Sequence, residues 1–223
     1  MFTGLIEQTG HIARLEHRGG TLRLTVSAPE SLVSRLREGD SVAVNGVCLT
    51  AVALAPAHFS ADLAEETVAR TTLSTLPSHA VVNLELPTPA GAPLGGHIVQ
   101  GHIEGTGRLI SLEPIDAAHH DSTDWHLRVW IPAALAPNIT RKGSIALDGI
   151  SLTVADVKPS ADATGVEADV AVIPHTYAVT HIHKLAPGDA INIETDILAK
   201  YAAQRSSSNA ADLTLEYLIS NGY

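Results

Sequence analysis

The sequence predicts an all-β protein made of two tandem, homologous, six-stranded Greek-key β-barrels followed by a short C-terminal α-helix. Three observations predict this architecture. Three blocks of sequence recur in the same order in the two halves of the chain. The runs within each half are short and rich in Val, Ile, Leu and Thr, and tight-turn dipeptides punctuate them.

The repeat begins near the N-terminus. Gly4-Leu5-Ile6-Glu7-Gln8-Thr9-Gly10 returns as Gly101-His102-Ile103-Glu104-Gly105-Thr106-Gly107, an offset of 97 residues. The run from Ser41 to Thr50 returns from Ser144 to Thr153 at an offset of 103, and the block from Glu66-Thr67 to Glu85 returns from His175-Thr176 to Glu194 at 109. Collinear blocks with a small drift in offset mark a duplication. The drift puts extra residues in the second copy, with the polar stretch His119 to Asp124 as the expected place. The expected division is 1–97 for the first barrel, 98–205 for the second and 206–223 for a C-terminal helix.

Within each copy, Thr21 to Val26, Ser41 to Val44 and Val81 to Leu86 alternate as strands do. Asn45-Gly46 and Asp148-Gly149 sit between apolar runs, where residues that tolerate positive φ close a two-residue hairpin. Helical turns are expected at Pro29 to Val33 and at Pro132 to Leu135. About six short strands in each copy cannot bury both faces as an open sheet, and closure into a barrel removes the exposed edges. In the tail, Leu215, Leu218 and Ile219 give the stretch Ala210 to Ile219 an apolar face, with Asn221-Gly222 as a stop signal. An apolar helix outside two closed barrels points to contact with another subunit.

Composition bounds the function. The chain has 223 residues, 45% hydrophobic and 17% charged, enough for packed cores and too few charges for a disordered chain. A formal net charge of -10 with no basic run argues against nucleic acid and against an anionic membrane surface. No apolar stretch approaches the roughly 18 residues of a membrane-spanning helix, and Met1 to Glu7 lacks the basic start of a signal peptide. The expected setting is cytoplasmic. The single cysteine, Cys48, agrees with a reducing compartment.

No phosphate-binding glycine loop is present, and Gly95-Gly96 before His97 lacks dinucleotide-fingerprint spacing. His181 and His183 would share one face of a strand, which suits two solvent-facing polar positions better than a metal, since no third ligand is evident. No metal is expected. Cys48 is either a buried small hydrophobe or a functional thiol. His97 and His102 flank the junction of the copies, as exposed linker residues or as acid–base groups. Lys142 reads most simply as a solvated charge, with pairing to an anionic heterocycle as the alternative. The duplication is the stronger clue. Two homologous pockets can hold two copies of one ligand, which suits a reaction between identical molecules, and differences such as Cys48 against Ser151 and Glu66 against His175 can divide their roles.

The motifs resemble the riboflavin synthase α-chain family over nearly the whole length. The resemblance is carried by Met1 to Glu7, Ser41 to Thr50, Leu94 to His102, Lys142 to Thr153, Ile173 to Thr176 and the Asn-Ile-Glu-Thr-Asp run ending at Asp196. It implies a homotrimer, with each active site between the N-terminal barrel of one subunit and the C-terminal barrel of its neighbour, and leaves open an association with lumazine synthase. It also implies a reaction without an added cofactor. Two molecules of 6,7-dimethyl-8-ribityllumazine dismutate by transfer of a four-carbon unit, giving riboflavin and 5-amino-6-ribitylaminouracil. The C7 methyl of one lumazine is acidic, and the other is activated by a nucleophile at its own C7, so the protein aligns two rings and moves protons.

Carried over by position, Gly4, Leu5, Ile6, Cys48, Leu49, Thr50 and the loop Asp62, Leu63, Ala64, Glu65, Glu66 and Thr67 are expected to line the N-terminal pocket. Gly101, His102, Ile103, Lys142, Ser151, Leu152, Thr153, Ile173, Pro174, His175, Thr176, Tyr177 and Ala178 are expected in the C-terminal one. Ser41, Cys48 and His102 are the expected catalytic residues, supported by Phe2, His97 and Asp196. The chain departs from the family pattern at Leu5, where isoleucine is commoner, and in the missing methionine of the Asp62 to Thr67 segment. It also lacks a Leu-Gly pair around Thr180 to His183, which puts that turn's geometry in doubt. Two alternatives stay open: a binding protein of the same fold that holds one lumazine or flavin without turnover, and a flavin-dependent reductase. The first would have lost one pocket, whereas both Cys48 to Thr50 and Ser151 to Thr153 are complete; the second would need a nicotinamide site.

Overall fold

A computed structural model of the chain describes residues 1–120 and 122–212. Twelve strands form two closed antiparallel barrels of six. The first barrel comprises β1 (Gln8–Arg18), β2 (Thr21–Ser27), β3 (Ser41–Val44), β4 (Val47–Ala55), β5 (His58–Leu63) and β6 (Val81–Glu85), closed in the order β1-β2-β5-β4-β3-β6. The second comprises β7 (Gly105–Pro114), β8 (Trp125–Pro132), β9 (Ser144–Leu147), β10 (Ile150–Pro159), β11 (Gly165–Val172) and β12 (Ala190–Thr195), joined in the equivalent order. The α-helices among the described residues are α1 (Glu30–Val33), α2 (Glu65–Arg70), α3 (Pro174–Val179) and α4 (Ile197–Asp212).

Alternation builds each core. Along β8 every second residue from Trp125 to Ile131 is buried, as a strand with one face on a barrel interior requires. Leu24, Val26, Val42 and Leu84 fill the first interior, and Leu127, Val129, Ile145 and Ile193 occupy the same places in the second. Bulges recur at matching points, between Ile12 and Arg14 in β1 and between Leu109 and Ser111 in β7. They add the local bend and twist that closure demands. The drift in offset between the copies has its source in the hairpins: turns at 19–20 and 56–57 become the longer connections 115–124 and 160–164. The first of these contains the expected polar stretch.

The barrels meet across an approximate twofold axis at their Asn-Gly and Asp-Gly turns. Asn45 and Asp148 adopt φ of 45° and 44°, followed by Gly46 and Gly149 at 77° and 79°. These are the positive-φ turns read from the sequence. The turns pack so closely that a Cβ on Gly46 would lie 2.6 Å from the Gly149 nitrogen, and one on Gly149 would lie 2.7 Å from the Gly46 nitrogen. Glycine is required there by conformation and by space.

Around the turns runs a reciprocal set of buried hydrogen bonds. The Asn83 amide donates to the Asp148 carbonyl at 3.0 Å, and the Asn192 amide donates to the Asn45 carbonyl at 2.9 Å. The Asn83 side-chain oxygen accepts from the His181 N–H, and that of Asn192 accepts from the Thr72 N–H, both at 2.8 Å. An apolar cluster of Phe2, Ala43, Val99 and Ala146 lies in the same interface, with Phe2 and Val99 exchanging backbone bonds of 2.7 and 3.1 Å.

Three expectations are corrected. The segment from Asp62 to Thr67 is the end of β5 followed by α2; acidic Glu65 and Glu66 in its first turn and Arg70 in its last favour the helix dipole. His181 and His183 lie on a 3-10 turn, His181–Lys184, instead of a strand. His181 is buried, its Nε2 3.1 Å from Asp148 Oδ2 but off the line of a hydrogen bond. Thr180 shapes this turn by accepting from the Ile182 N–H and donating to the Thr176 carbonyl, so no Leu-Gly pair is needed. The third correction concerns the tail: a helix begins at Ile197, inside the stretch read as second barrel, because Asp196 accepts from the Leu198 N–H at 2.9 Å and caps it. The helix Lys200 also reaches Glu104 at 2.7 Å. Of the helix expected over Ala210 to Ile219, residues 213–219 lie outside the described residues. The turn expected at Pro132 to Leu135 is followed by a 3-10 turn, Ala136–Asn138.

The turn geometry separates two glycine substitutions. Gly39 also has positive φ, at 92°, but its missing Cβ faces open space. Gly39→Ala is expected to cost about 1–2 kcal/mol from backbone strain alone, and Gly46→Ala about 3 kcal/mol or more because the turns must also part. Denaturant unfolding of both variants checks the ranking.

Candidate functional site

Two pockets, one for each copy, lie beside the inter-barrel interface. The first is lined by Val47 and Cys48 of β4, by Glu66, Thr67 and Arg70 of α2 with Thr71, and by Gly101, His102 and Ile103. The second is lined by Ile150 and Ser151 of β10, by His175, Thr176 and Val179 of α3 with Thr180, and by Gly4, Leu5 and Ile6. Every lining residue has its counterpart in the other pocket. The first has a volume of about 290 Å³ and the second about 190 Å³.

The glycine-led segments cross between copies. The Gly101 carbonyl accepts from Cys48 N–H at 2.9 Å, while the Gly4 carbonyl accepts from Ser151 N–H at 2.8 Å. The expected allocation of these segments is therefore exchanged: Gly4 to Ile6 stand with Ser151, and Gly101 to Ile103 stand with Cys48. Close approach explains the glycines, since a Cβ on Gly4 would fall 2.6 Å from Ser151 Cβ, and one on Gly101 would fall 2.6 Å from Cys48 Cβ. The crossing is invisible to a collinear reading because it is a tertiary pairing.

Each segment is anchored by a buried carboxylate from the last strand of its own copy's barrel. Glu85 accepts from the Thr3 and Gly4 N–H groups, and Glu194 accepts from those of Gln100, Gly101 and His102, at 2.7 to 3.1 Å. Burial pushes both carboxyls above the usual range, and the N–H donors pull back against it. His97 stands behind the second pocket, its Nδ1 2.7 Å from Ser151 Oγ. Burial pushes this imidazole down, against a smaller upward pull from Asp196.

The two linings have diverged. Cys48, Glu66, Arg70 and His102 make the first pocket polar, with Arg70 bonded to Glu66 at 2.9 Å. Ser151, His175, Val179 and Leu5 take their places in the second, where Leu5 and Val179 are exposed apolar groups.

A model of the lumazine binding domain matches residues 3–87 and again 100–196. Riboflavin synthase of Actinobacillus pleuropneumoniae is 39% identical over 228 residues, with 100% of both chains covered. The chain belongs to the riboflavin synthase family. The Mycobacterium tuberculosis riboflavin synthase is 39% identical over 207 residues, covering 90% of this chain and 96% of that one, and the Bacillus subtilis riboflavin synthase is 32% identical over the full length of both. In fold the chain is similar to LumP crystallised with 6,7-dimethyl-8-(1'-D-ribityl)lumazine, with a TM-score of 0.74 at 23% identity over 87% of this chain and 99% of that one.

Several residues expected at the family site do not line these two pockets. Leu49, Leu63 and Leu152 point into the barrel cores. Asp62 pairs with Arg23 at 2.6 Å on the outer surface, and Ala64 and Glu65 face a different cleft. Tyr177 stacks on Trp125, and Phe2 is wholly buried between the barrels. Lys142 sits on an exposed turn with φ 66°, outside both linings, as do Ile173, Pro174 and Ala178. Ser41 pairs with Thr50, one step along the sheet face from the Ala43–Cys48 pair, and Thr50 and Thr153 are exposed there. Val47, Arg70 and Thr71, with Ile150, Val179 and Thr180, were missed. Helical spacing from Glu66 and His175 was the available signal for Arg70 and Val179.

The depressed His97 imidazole carries a pH signature. Its unfolded form binds a proton that the folded form rejects, so stability is complete above the ordinary imidazole range and falls as pH drops through the folded value. Unfolding titrations are expected to show this loss at a slope of up to about 1.4 kcal/mol per pH unit. His97→Gln removes that part of the profile.

Proposed function

We propose that the two pockets serve the riboflavin synthase reaction by holding the two molecules of 6,7-dimethyl-8-ribityllumazine, one in a pocket of the Cys48 kind and one in a pocket of the Ser151 kind. The observation that carries the reading is the pair of pseudo-equivalent pockets with unlike side chains. Equivalent backbone segments suit identical rings. Unlike side chains give the rings unlike fates.

In the Ser151 pocket, the hydroxyl lies against His97, whose depressed basicity keeps it neutral near pH 7. The imidazole can take the hydroxyl proton as the oxygen adds to C7 of one lumazine, the usual activation of a weak nucleophile. In the Cys48 pocket, His102 and Glu66 are the acid–base groups beside the thiol. They suit removal of a proton from the C7 methyl of the other lumazine. Transfer of the four-carbon unit, during which the Ser151 oxygen leaves C7 and recovers its proton from His97, then yields riboflavin and 5-amino-6-ribitylaminouracil.

Both pockets are open clefts, so a ring in either keeps one face uncovered. The reading therefore includes a homotrimer in which a pocket of one chain closes on the unlike pocket of its neighbour. Exposed Leu5, Ile173 and Val179 around the Ser151 pocket and exposed Leu198 and Tyr201 on α4 support it, because grouped apolar surface favours a partner. Among the described residues no helix is long and apolar enough to cross a membrane. The free thiol of Cys48 suits a reducing, cytoplasmic setting.

The test mixes the purified chain with 6,7-dimethyl-8-ribityllumazine alone and follows riboflavin absorbance. One riboflavin should form for every two lumazines consumed. Tight binding without yellow product would instead assign the chain to ligand storage. Cys48→Ala, His102→Gln and Ser151→Ala are each expected to slow turnover by roughly 10²-fold, and a variant with full turnover removes its residue from the mechanism. Sedimentation checks the trimer, which Leu198→Lys should weaken.

A further inference from the structure

Away from the two pockets, the copies differ sharply beneath the helices that carry Glu66 and His175. In the second barrel, Trp125 at the start of β8 lies flat on Tyr177 of α3, with ring centroids 3.9 Å apart and planes 6° from parallel. Trp125 is 7% exposed and belongs to the barrel core. Leu22 and Val68 hold the corresponding positions in the first barrel. The strand registers fix the first correspondence, since Leu22 pairs with Leu63 and His17 as Trp125 pairs with Val172 and Pro114. The second follows from the offset of 109 that also relates Glu66 to His175. Two aliphatic side chains thus stand where the second copy has two ring systems. A cleft of about 450 Å³ opens there between the β1–β2 turn and α2, floored by Leu22, Leu63 and Val68 and rimmed by His17, Thr21 and Glu65.

We propose that this cleft binds a small, free, planar aromatic molecule, seated in the volume that the Trp125 and Tyr177 rings occupy in the second barrel. The same backbone framework already accommodates stacked rings in the other copy. The aliphatic floor offers dispersion contact to a ring face, while the His17 imidazole and Glu65 carboxylate at the rim supply polar partners for ring N–H or carbonyl groups. An apolar concavity with few convergent polar groups is the usual form of a small-molecule site. Helix α2 forms one wall of this cleft through Val68 and Ala69 and one wall of the Cys48 pocket through Glu66, Thr67 and Arg70. An occupant therefore bears on the helix that shapes the Cys48 pocket; that consequence rests on the function proposed above, whereas the binding does not.

Indole is a suitable probe, followed by amide shifts in the isotope-labelled full chain. Saturable shifts are expected at Thr21, Ala64 and Ala69, with sub-millimolar affinity. Leu22→Trp combined with Val68→Tyr rebuilds the stack of the second copy and should weaken indole binding at least tenfold. Ala69→Phe blocks the mouth from the exposed side of the helix, leaves the core untouched and should have the same effect. Shifts confined to residues of the Cys48 and Ser151 pockets, or unchanged binding to Ala69→Phe, would overturn the proposal. Neither readout depends on turnover, so its failure is distinct from failure of the riboflavin synthase assay.

Discussion

Everything else in this molecule hangs on the reciprocal hydrogen bonds at the axis between the barrels. Asn83 and Asn192 each use both ends of their amide, one end to a turn carbonyl and the other to a backbone N–H that follows a pocket helix. These groups are buried, and a buried polar group left unpaired costs a large part of the stability of a domain this size. The bonds therefore specify one arrangement of the barrels. That arrangement sets the distance between each glycine-led segment and the strand of the opposite copy, and with it the shape of each pocket.

Around the pockets the backbone keeps the symmetry and the side chains break it. Glu85 and Glu194 hold their segments from equivalent places, Glu85 through two N–H groups and the Thr3 hydroxyl and Glu194 through three N–H groups, and Gly4 and Gly101 approach their strands equally closely. Divergence enters where it reaches a ligand or a helix: Cys48 against Ser151, Glu66 against His175, Arg70 against Val179, His102 against Leu5. The axis has diverged too, with the buried Asp148 and His181 in one half and Asn45 and Thr72 in the other. A duplicated scaffold can carry such changes because the backbone bonds that define the fold do not pass through these side chains.

Much of this was legible in the chain. Collinear blocks revealed the duplication, and Asn45-Gly46 and Asp148-Gly149 revealed the turns because φ > 0 is a local demand that few residues meet. Cys48, His102, Ser151, Glu66 and His175 are all legible in the sequence as pocket residues. Helices α2 and α3 are not, although Glu65 and Glu66 at one start and Pro174 at the other are local signals; at six residues each is too short for a periodic pattern to stand out. Asp196, a supporting residue by the family resemblance, also caps α4, a second role that a carboxylate's local sequence does not reveal.

The sequence by itself determined the class, the count and the closure of the barrels, since strand alternation, turn chemistry and repetition are written along the chain. It also named most of the polar groups that line the pockets. Only the tertiary structure decided which segment meets which strand, that Gly4 to Ile6 serve Ser151 while Gly101 to Ile103 serve Cys48, and that Lys142 stands apart from both. Those pairings join residues far apart in sequence across the barrel interface. No local rule encodes them; they follow from how two buried amides are satisfied when the barrels dock.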